Sequence, residues 1–208
     1  MRRDLTVVDY GRGNLHSLVN ALAYLGATTE VDVDGSRIPA ASRLILPGVG
    51  AFSEGMRGLQ ARHQAVAIRD FARSGKPVLG ICLGCQMLLS VSEEFGSHEG
   101  LGLVPGRVAK IQPNGERVPH VGWKPLRICP ETQRQDLLFC SLETGTWVYF
   151  VHSFHALPDL STDLLAVAPH GEAEVTAVVG RGNIFGFQFH PEKSGEQGLQ
   201  MLEDFLKL

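Results

Sequence analysis

Cys82, His190 and Glu192 are the side chains whose types and surroundings could carry nucleophilic acyl chemistry. Cys82 lies in Val78-Leu79-Gly80-Ile81-Cys82-Leu83-Gly84-Cys85-Gln86, where an apolar run that reads as a buried strand gives way to a segment of helical character. A glycine two residues to either side permits the sharp strand-to-helix turn that lifts a nucleophile clear of a sheet, here in a cysteine version of the nucleophile elbow. The positive end of a following helix would favour thiolate over thiol. In Phe187-Gln188-Phe189-His190-Pro191-Glu192, the base and its orienting group stand two residues apart at a strand end, so both can project to one side of the backbone. Pro191 fixes the local φ and donates no hydrogen bond, which suits the end of a strand. Attack on an acyl carbon also needs donors for the developing oxyanion. Pro47-Gly48-Val49-Gly50 closes a strand expected beside that of Cys82, so an N–H near Val49 or Gly50 could join that of Leu83 in an oxyanion hole.

Plainer roles compete for the same residues. A cysteine in a chain of this type is most often a small buried hydrophobe. Cys82 and Cys85 could also be a redox pair or half a zinc site, but no second Cys-x-x-Cys or His pair completes the latter, and no early thioredoxin-like unit supports the former. His190 and Glu192 taken alone could be a strand-end histidine beside a solvated glutamate. Cys85, Cys129 and Cys140 read as packing residues, and His98, His155 and His170 as surface or loop histidines. Gly11-x-Gly13 makes no dinucleotide fingerprint, because position 16 is His16. No metal or cofactor is expected.

The elements that must position these groups follow from apolar periodicity. Leu5 to Asp9 reads as a strand, Gly11 to Asn14 as a loop, and Leu15, Leu18, Leu22 and Leu25 as one face of a helix. Thr28 to Val33, Arg43 to Leu46 and Pro77 to Ile81 read as further strands, Phe52 to Ser74 as mostly helical, and Gly84 to Leu89 as helix again. This alternation predicts an α/β fold with a mainly parallel central sheet and helices on both faces. From about Leu103 to Phe189 short β-type runs (Thr146 to Val151, Leu164 to Ala168, Val175 to Val179, Ile184 to Phe189) predict antiparallel additions to the same sheet. Leu199, Leu202, Phe205 and Leu206 then share one face of a closing helix.

The chain has 208 residues, 44% of them apolar, which suits a single domain over residues 1–208. Its 22 acidic and 19 basic residues give a formal net charge of -3, without the runs that a nucleic-acid groove or polybasic anchor would need. Four cysteines, irregularly spaced, do not make a disulfide framework. The absence of a long apolar stretch or an apolar leader after Met1-Arg2-Arg3-Asp4 predicts a cytosolic protein.

The G-x-C-x-G elbow, the P-G-x-G loop and the H-P-E ending together resemble the class I, triad-type glutamine amidotransferases over nearly the whole chain. Asp9-Tyr10-Gly11-Arg12-Gly13-Asn14-Leu15, Pro119-His120-Val121-Gly122-Trp123 and Tyr149-Phe150-Val151-His152-Ser153 are similar to the glutaminase subunits of imidazole glycerol phosphate synthase, of histidine biosynthesis. The resemblance implies that Cys82 attacks the side-chain amide of glutamine, that His190 moves protons and that Glu192 orients it. It implies that Gln86 and Glu94, otherwise read as solvated residues on an exposed helix and loop, hold the amino-acid end of glutamine, with Gly50, His152 and Ser153 lining the pocket. It also implies a heterodimer with a cyclase subunit, a β/α barrel, that uses the ammonia to make imidazole glycerol phosphate and aminoimidazole carboxamide ribotide. Gly11, Arg12, Asn14, Pro119, His120 and Trp123 would face that partner. Cys85 stands where the family usually has methionine, and a packing difference is expected. The competing readings are a glutaminase serving another acceptor, a stand-alone cysteine hydrolase, and a non-catalytic subunit on the same fold.

Overall fold

A computed structural model describes residues 4–13, 15–130 and 141–208, so Asn14 and Cys140 lie outside the described residues. The first half runs β1 (Asp4–Val8), α1 (Leu15–Tyr24), β2 (Thr28–Asp32), β3 (Leu44–Leu46), α2 (Phe52–Ala61), α3 (Gln64–Arg73), β4 (Val78–Ile81) and α4 (Leu83–Met87). Its strands pair in parallel in the order β2-β1-β3-β4. Alternation along the strands assigns their side chains to the two faces. Leu5, Val7, Ile45, Leu79 and Ile81 pack with Leu18 and Leu22 of α1. Val8, Leu44, Leu46 and Val78 pack with Phe52, Met56 and Leu59 of α2 and with Ile68 and Phe71 of α3. Each fully buried side chain of this size stabilises the fold by roughly 1.5–3 kcal/mol relative to exposure.

The second half contains β5 (Leu89–Ser92), β6 (His98–Glu99), β7 (Val104–Lys110), β8 (His120–Pro125), β9 (Arg127–Ile128), β10 (Trp147–His152), β11 (Phe154–Pro158), β12 (Leu164–His170), β13 (Ala173–Arg181), β14 (Ile184–Phe187) and α5 (Gly195–Phe205). β14 lies beside β4 in parallel, and β13, β12 and β9 continue the sheet antiparallel to eight strands. The α/β architecture is therefore as the sequence predicts, with one difference. β8 and β10 form a separate ribbon, and β11, β7, β5 and β6 a separate four-stranded sheet. Both are layered against the main sheet rather than added to its edge: Val148 and Phe150 of β10 enter the core with Phe187 and Phe189, and Ala156 and Val108 enter that of Val179.

Two helices differ from their expected spans. Phe52 to Ser74 is interrupted at Arg62-His63, where His63 takes a left-handed φ of 58°. α4 stops at Met87, because Leu89–Ser92 pairs with β6 and β7 instead. Gly100 allows that arrangement, since a Cβ there would stand 2.1 Å from the Leu89 carbonyl oxygen. On the closing helix, Met201, Leu202 and Phe205 are buried against the α1 side of the sheet. No helix among the described residues is long and apolar enough to cross a membrane.

Candidate active site

Adjacent parallel strands bring the separate motifs together. Ile81 of β4 is in register with Phe187 of β14, and the next amide, that of Cys82, donates to the Phe187 carbonyl at 2.7 Å. The chain then turns sharply, leaving Cys82 at φ 54° and ψ −109°, a strained conformation for a residue with a side chain. The flanking glycines are demanded by contact: a Cβ on Gly80 would come within 2.7 Å of Gly84 and Cys85 backbone atoms, and one on Gly84 within 1.7 Å of the Leu46 carbonyl oxygen. One expected contribution is smaller than foreseen. α4 has only 5 residues, too few aligned peptides for a strong dipole at the sulfur.

His190 ends the run that leaves β14. Its amide donates to the Tyr149 carbonyl at 3.0 Å. Ser194 Oγ donates to the His190 carbonyl at 2.6 Å and accepts the Tyr149 N–H at 3.0 Å, stapling the turn to β10. The ring's Nδ1 is 2.8 Å from Glu192 Oε1, and both side chains are nearly buried. A carboxylate can only accept, so Nδ1 carries a proton and Nε2 is the nitrogen left to face Cys82. Burial, the largest single influence, disfavours the charged ring, but Cys82 and Glu192 together outweigh it and raise His190 from an ordinary 6.5 to about 9. An imidazolium beside a cysteine sulfur is the arrangement that generates a thiolate nucleophile near neutral pH.

This shift has a consequence for stability. Because the folded value exceeds the unfolded one, the stabilisation is complete below pH 6.5 and is lost as pH rises through about 9. Glu192→Gln keeps a hydrogen-bond acceptor but removes the charge, so its deficit in melting temperature against the parent should be largest below pH 6.5 and shrink towards pH 9. Thermal melts across that window check this. A deficit independent of pH would contradict the assignment of the ion pair.

A cavity of about 330 Å³ opens at this point, lined by Val49, Gly50, Cys82, Leu83, Gln86, Glu94, His152, Ser153 and His190, together with Val151 and Phe154. Thus the expected nucleophile, base, oxyanion and substrate residues converge on one pocket, with Glu192 behind His190. Gln86 and Glu94 are not solvated bystanders. Gln86 is buried, and its Nε2 donates to the Phe154 carbonyl at 2.8 Å and to Gln188 Oε1 at 3.0 Å. Glu94 Oε2 accepts the Phe52 N–H at 2.6 Å at the start of α2. Burial pushes His152 down to about 3, and its Nδ1 is 2.8 Å from the Phe154 carbonyl, so it is a neutral wall and no rival base. The Leu83 N–H points to the Gly48 carbonyl at 3.4 Å, so that donor is engaged by the loop.

Two contributors escaped sequence reasoning. Ser194 gave no signal, and Gln188 looked like one more position in an apolar strand, although its side chain touches Cys82. The residues expected at a partner surface divide. Gly11, Arg12, Pro119 and Trp123 are exposed, with Arg12 paired to Glu54 at 3.0 Å. His120 is only 1% exposed, because parity along β8 turns it inward against Phe150, His152 and His170. His170 is likewise buried, not a surface histidine; its Nδ1 lies 2.9 Å from that of His120. Among the described residues no His, Cys, Asp and Glu cluster could hold a metal.

Comparison with known proteins agrees with this geometry. The family model "Glutamine amidotransferase class-I" matches residues 6–208. An imidazole glycerol phosphate synthase subunit HisH 1 from Legionella pneumophila (strain Lens) is 43% identical over 210 residues, covering 98% of this chain and 99% of the relative. The HisH subunit of Moorella thermoacetica is 45% identical over 206 residues, covering 99% and 95%. In fold, a solved PurLQS structure from Thermotoga maritima superposes with a TM-score of 0.76 at 21% identity, covering 100% of this chain and 99% of that one. A solved glutamine amidotransferase gives 0.74 at 15% identity, with 98% and 100% covered. The chain belongs to the class I glutamine amidotransferases and, within them, to the group of imidazole glycerol phosphate synthase HisH subunits.

Proposed function

We propose that this chain is the glutaminase subunit of an imidazole glycerol phosphate synthase, with Cys82 as nucleophile, His190 as general base and acid, and Glu192 as the group that orients His190. The observation that carries the reading is the single pocket holding Cys82 and His190 beside Gln86 and Glu94. Cys82 attacks the glutamine amide carbon, and the charge forming on oxygen is met by backbone N–H groups from Val49 or Gly50 and Leu83. His190 gives its proton to the leaving nitrogen, so ammonia departs and a thioester remains. Water then loses a proton to His190 and attacks, and glutamate leaves as the sulfur is released. The Gln86 amide oxygen and the second Glu94 oxygen are acceptors placed for the substrate ammonium.

The ammonia goes to a cyclase subunit, a β/α barrel bound as a heterodimer, for synthesis of imidazole glycerol phosphate and aminoimidazole carboxamide ribotide in the cytoplasm. Val121, Trp123 and Val151 support this docking: they are exposed and apolar, they alternate on one face of the β8–β10 ribbon, and Val151 also lines the pocket. A partner covering that face would exclude water where ammonia leaves. Because the Leu83 donor is occupied by Gly48 at rest, the free chain should turn over glutamine at least about tenfold more slowly than the complex. Glutamate release by the purified chain, alone and mixed with cyclase and its ribonucleotide ligand, tests this. Full activity without the partner would favour an independent hydrolase, and silence in both would remove the assignment.

A further inference from the structure

We propose that Gln188 is a catalytic residue: its amide N–H donates to the Cys82 sulfur and holds it as thiolate, in an orientation fixed by Gln86. The inference rests on Cys82 being the nucleophile. Gln188 is 0% exposed, and its Nε2 is 3.8 Å from Cys82 Sγ. An amide can present either end to a sulfur, so the orientation must be argued from neighbours. The Phe154 carbonyl only accepts, so the atom of Gln86 facing it at 2.8 Å is nitrogen. That nitrogen has a second hydrogen, directed at the near end of Gln188 at 3.0 Å, which must therefore be Oε1. The far end of Gln188, with both its hydrogens, is left for the sulfur. Main-chain pairing of the Gln188 amide to the Ala177 carbonyl at 2.9 Å keeps the side chain from withdrawing.

Hydrogen bonds to charged sulfur are stronger than those to a neutral thiol, so a fixed donor favours transfer of the Cys82 proton to His190 Nε2. The same donor weakens its hold once the sulfur is acylated and recovers it when the thioester breaks, which assists the sulfur as leaving group. Such a bond also tempers nucleophilicity, since a better-stabilised thiolate is a weaker attacker. The position thus serves deacylation and thiolate formation more than the attack itself. No oxidant, metal or further reactant enters: one proton moves from sulfur to nitrogen, and the sulfur keeps its electron pair.

The test is Gln188→Met, which preserves length and removes the donor, with Gln188→Glu as a second variant that still accepts from Gln86 but turns an acceptor to the sulfur. Cys82 alkylation by iodoacetamide is followed against pH in the full-length chain, with Cys82→Ala subtracting the other thiols. Gln188→Met should alkylate about tenfold more slowly at neutral pH, its rate profile displaced upward by roughly one pH unit. Gln188→Glu should show a larger displacement. Glutaminase kcat in the cyclase complex should fall about tenfold with KM little changed. Folding is checked by thermal melts, and if Gln188→Met does not fold, Gln188→Glu carries the reading. A lower melting temperature with an unmoved alkylation profile would assign Gln188 to packing only and overturn the proposal. That outcome would leave the loss of glutaminase in Cys82→Ala intact, whereas failure of the nucleophile assignment would leave Cys82→Ala active.

Discussion

Cys82→Ala should abolish glutamine-dependent turnover, by at least about a thousandfold, while the complex with the cyclase continues to use added ammonia. The side chain removed is small, and alanine meets the same strained φ of 54° as cysteine, so the fold neither gains nor loses backbone relief. The thioester, by contrast, has no substitute. His190 and the oxyanion donors would remain in place, yet water attacking an amide directly lacks the nucleophile that the elbow presents. Paired assays of product formation with glutamine and with ammonium salts separate the two half-reactions. Loss of the ammonia-dependent reaction in an intact complex would mean that Cys82 has a structural duty in assembly, against the present assignment.

The second large effect is expected from a single methyl group. In Gly84→Ala the new Cβ would stand 1.7 Å from the Leu46 carbonyl oxygen, and that atom belongs to backbone, which cannot swing aside as a flexible side chain can. Either β3 or the elbow must move, at a cost of about 3 kcal/mol or more. For a chain of this size that corresponds to a fall in melting temperature of roughly 6–12 °C. Displacement at the elbow also shifts Cys82 relative to His190, and a misplacement near an ångström costs about a hundredfold in rate. Melting and kcat measured on the same preparation check both. Near-parental values for Gly84→Ala would show that the elbow is slacker than its contacts require.

What was legible in the sequence follows from which signals are local. The elbow, the H-P-E turn and the β1 to β4 alternation depend on residues within a few positions of one another, and their backbone course was legible. The destinations of β5, β7, β8, β10 and β11 were not, because a period of two reports that a segment is a strand and says nothing of its partner. β5 is the clearest case: Leu89 continues a helical-looking segment, and only pairing with Val104 and beyond makes it strand. Likewise Gln188 and Gln86 are 102 residues apart, so their hydrogen bond leaves no trace in either neighbourhood. His120 was misplaced at the surface for a related reason. Its motif marks a segment with exposed residues such as Val121 and Trp123, but strand parity decides which side chains of that segment reach the surface.

Phe187 and Phe189 are fully buried and stacked, with ring centroids 4.9 Å apart. Successive side chains leave a strand on opposite sides, so driving these two rings into the core turns Gln188 and His190 the other way, to the sulfur. The reading frame of the groups proposed to be catalytic is therefore written by neighbours that take no part in the chemistry. A slip of one residue would present phenyl groups to the pocket and bury an amide and an imidazole without partners. Chains paired in the wrong frame would be inert and greasy at the same time, so errors of assembly advertise themselves through lost solubility rather than persisting as folded, silent enzyme.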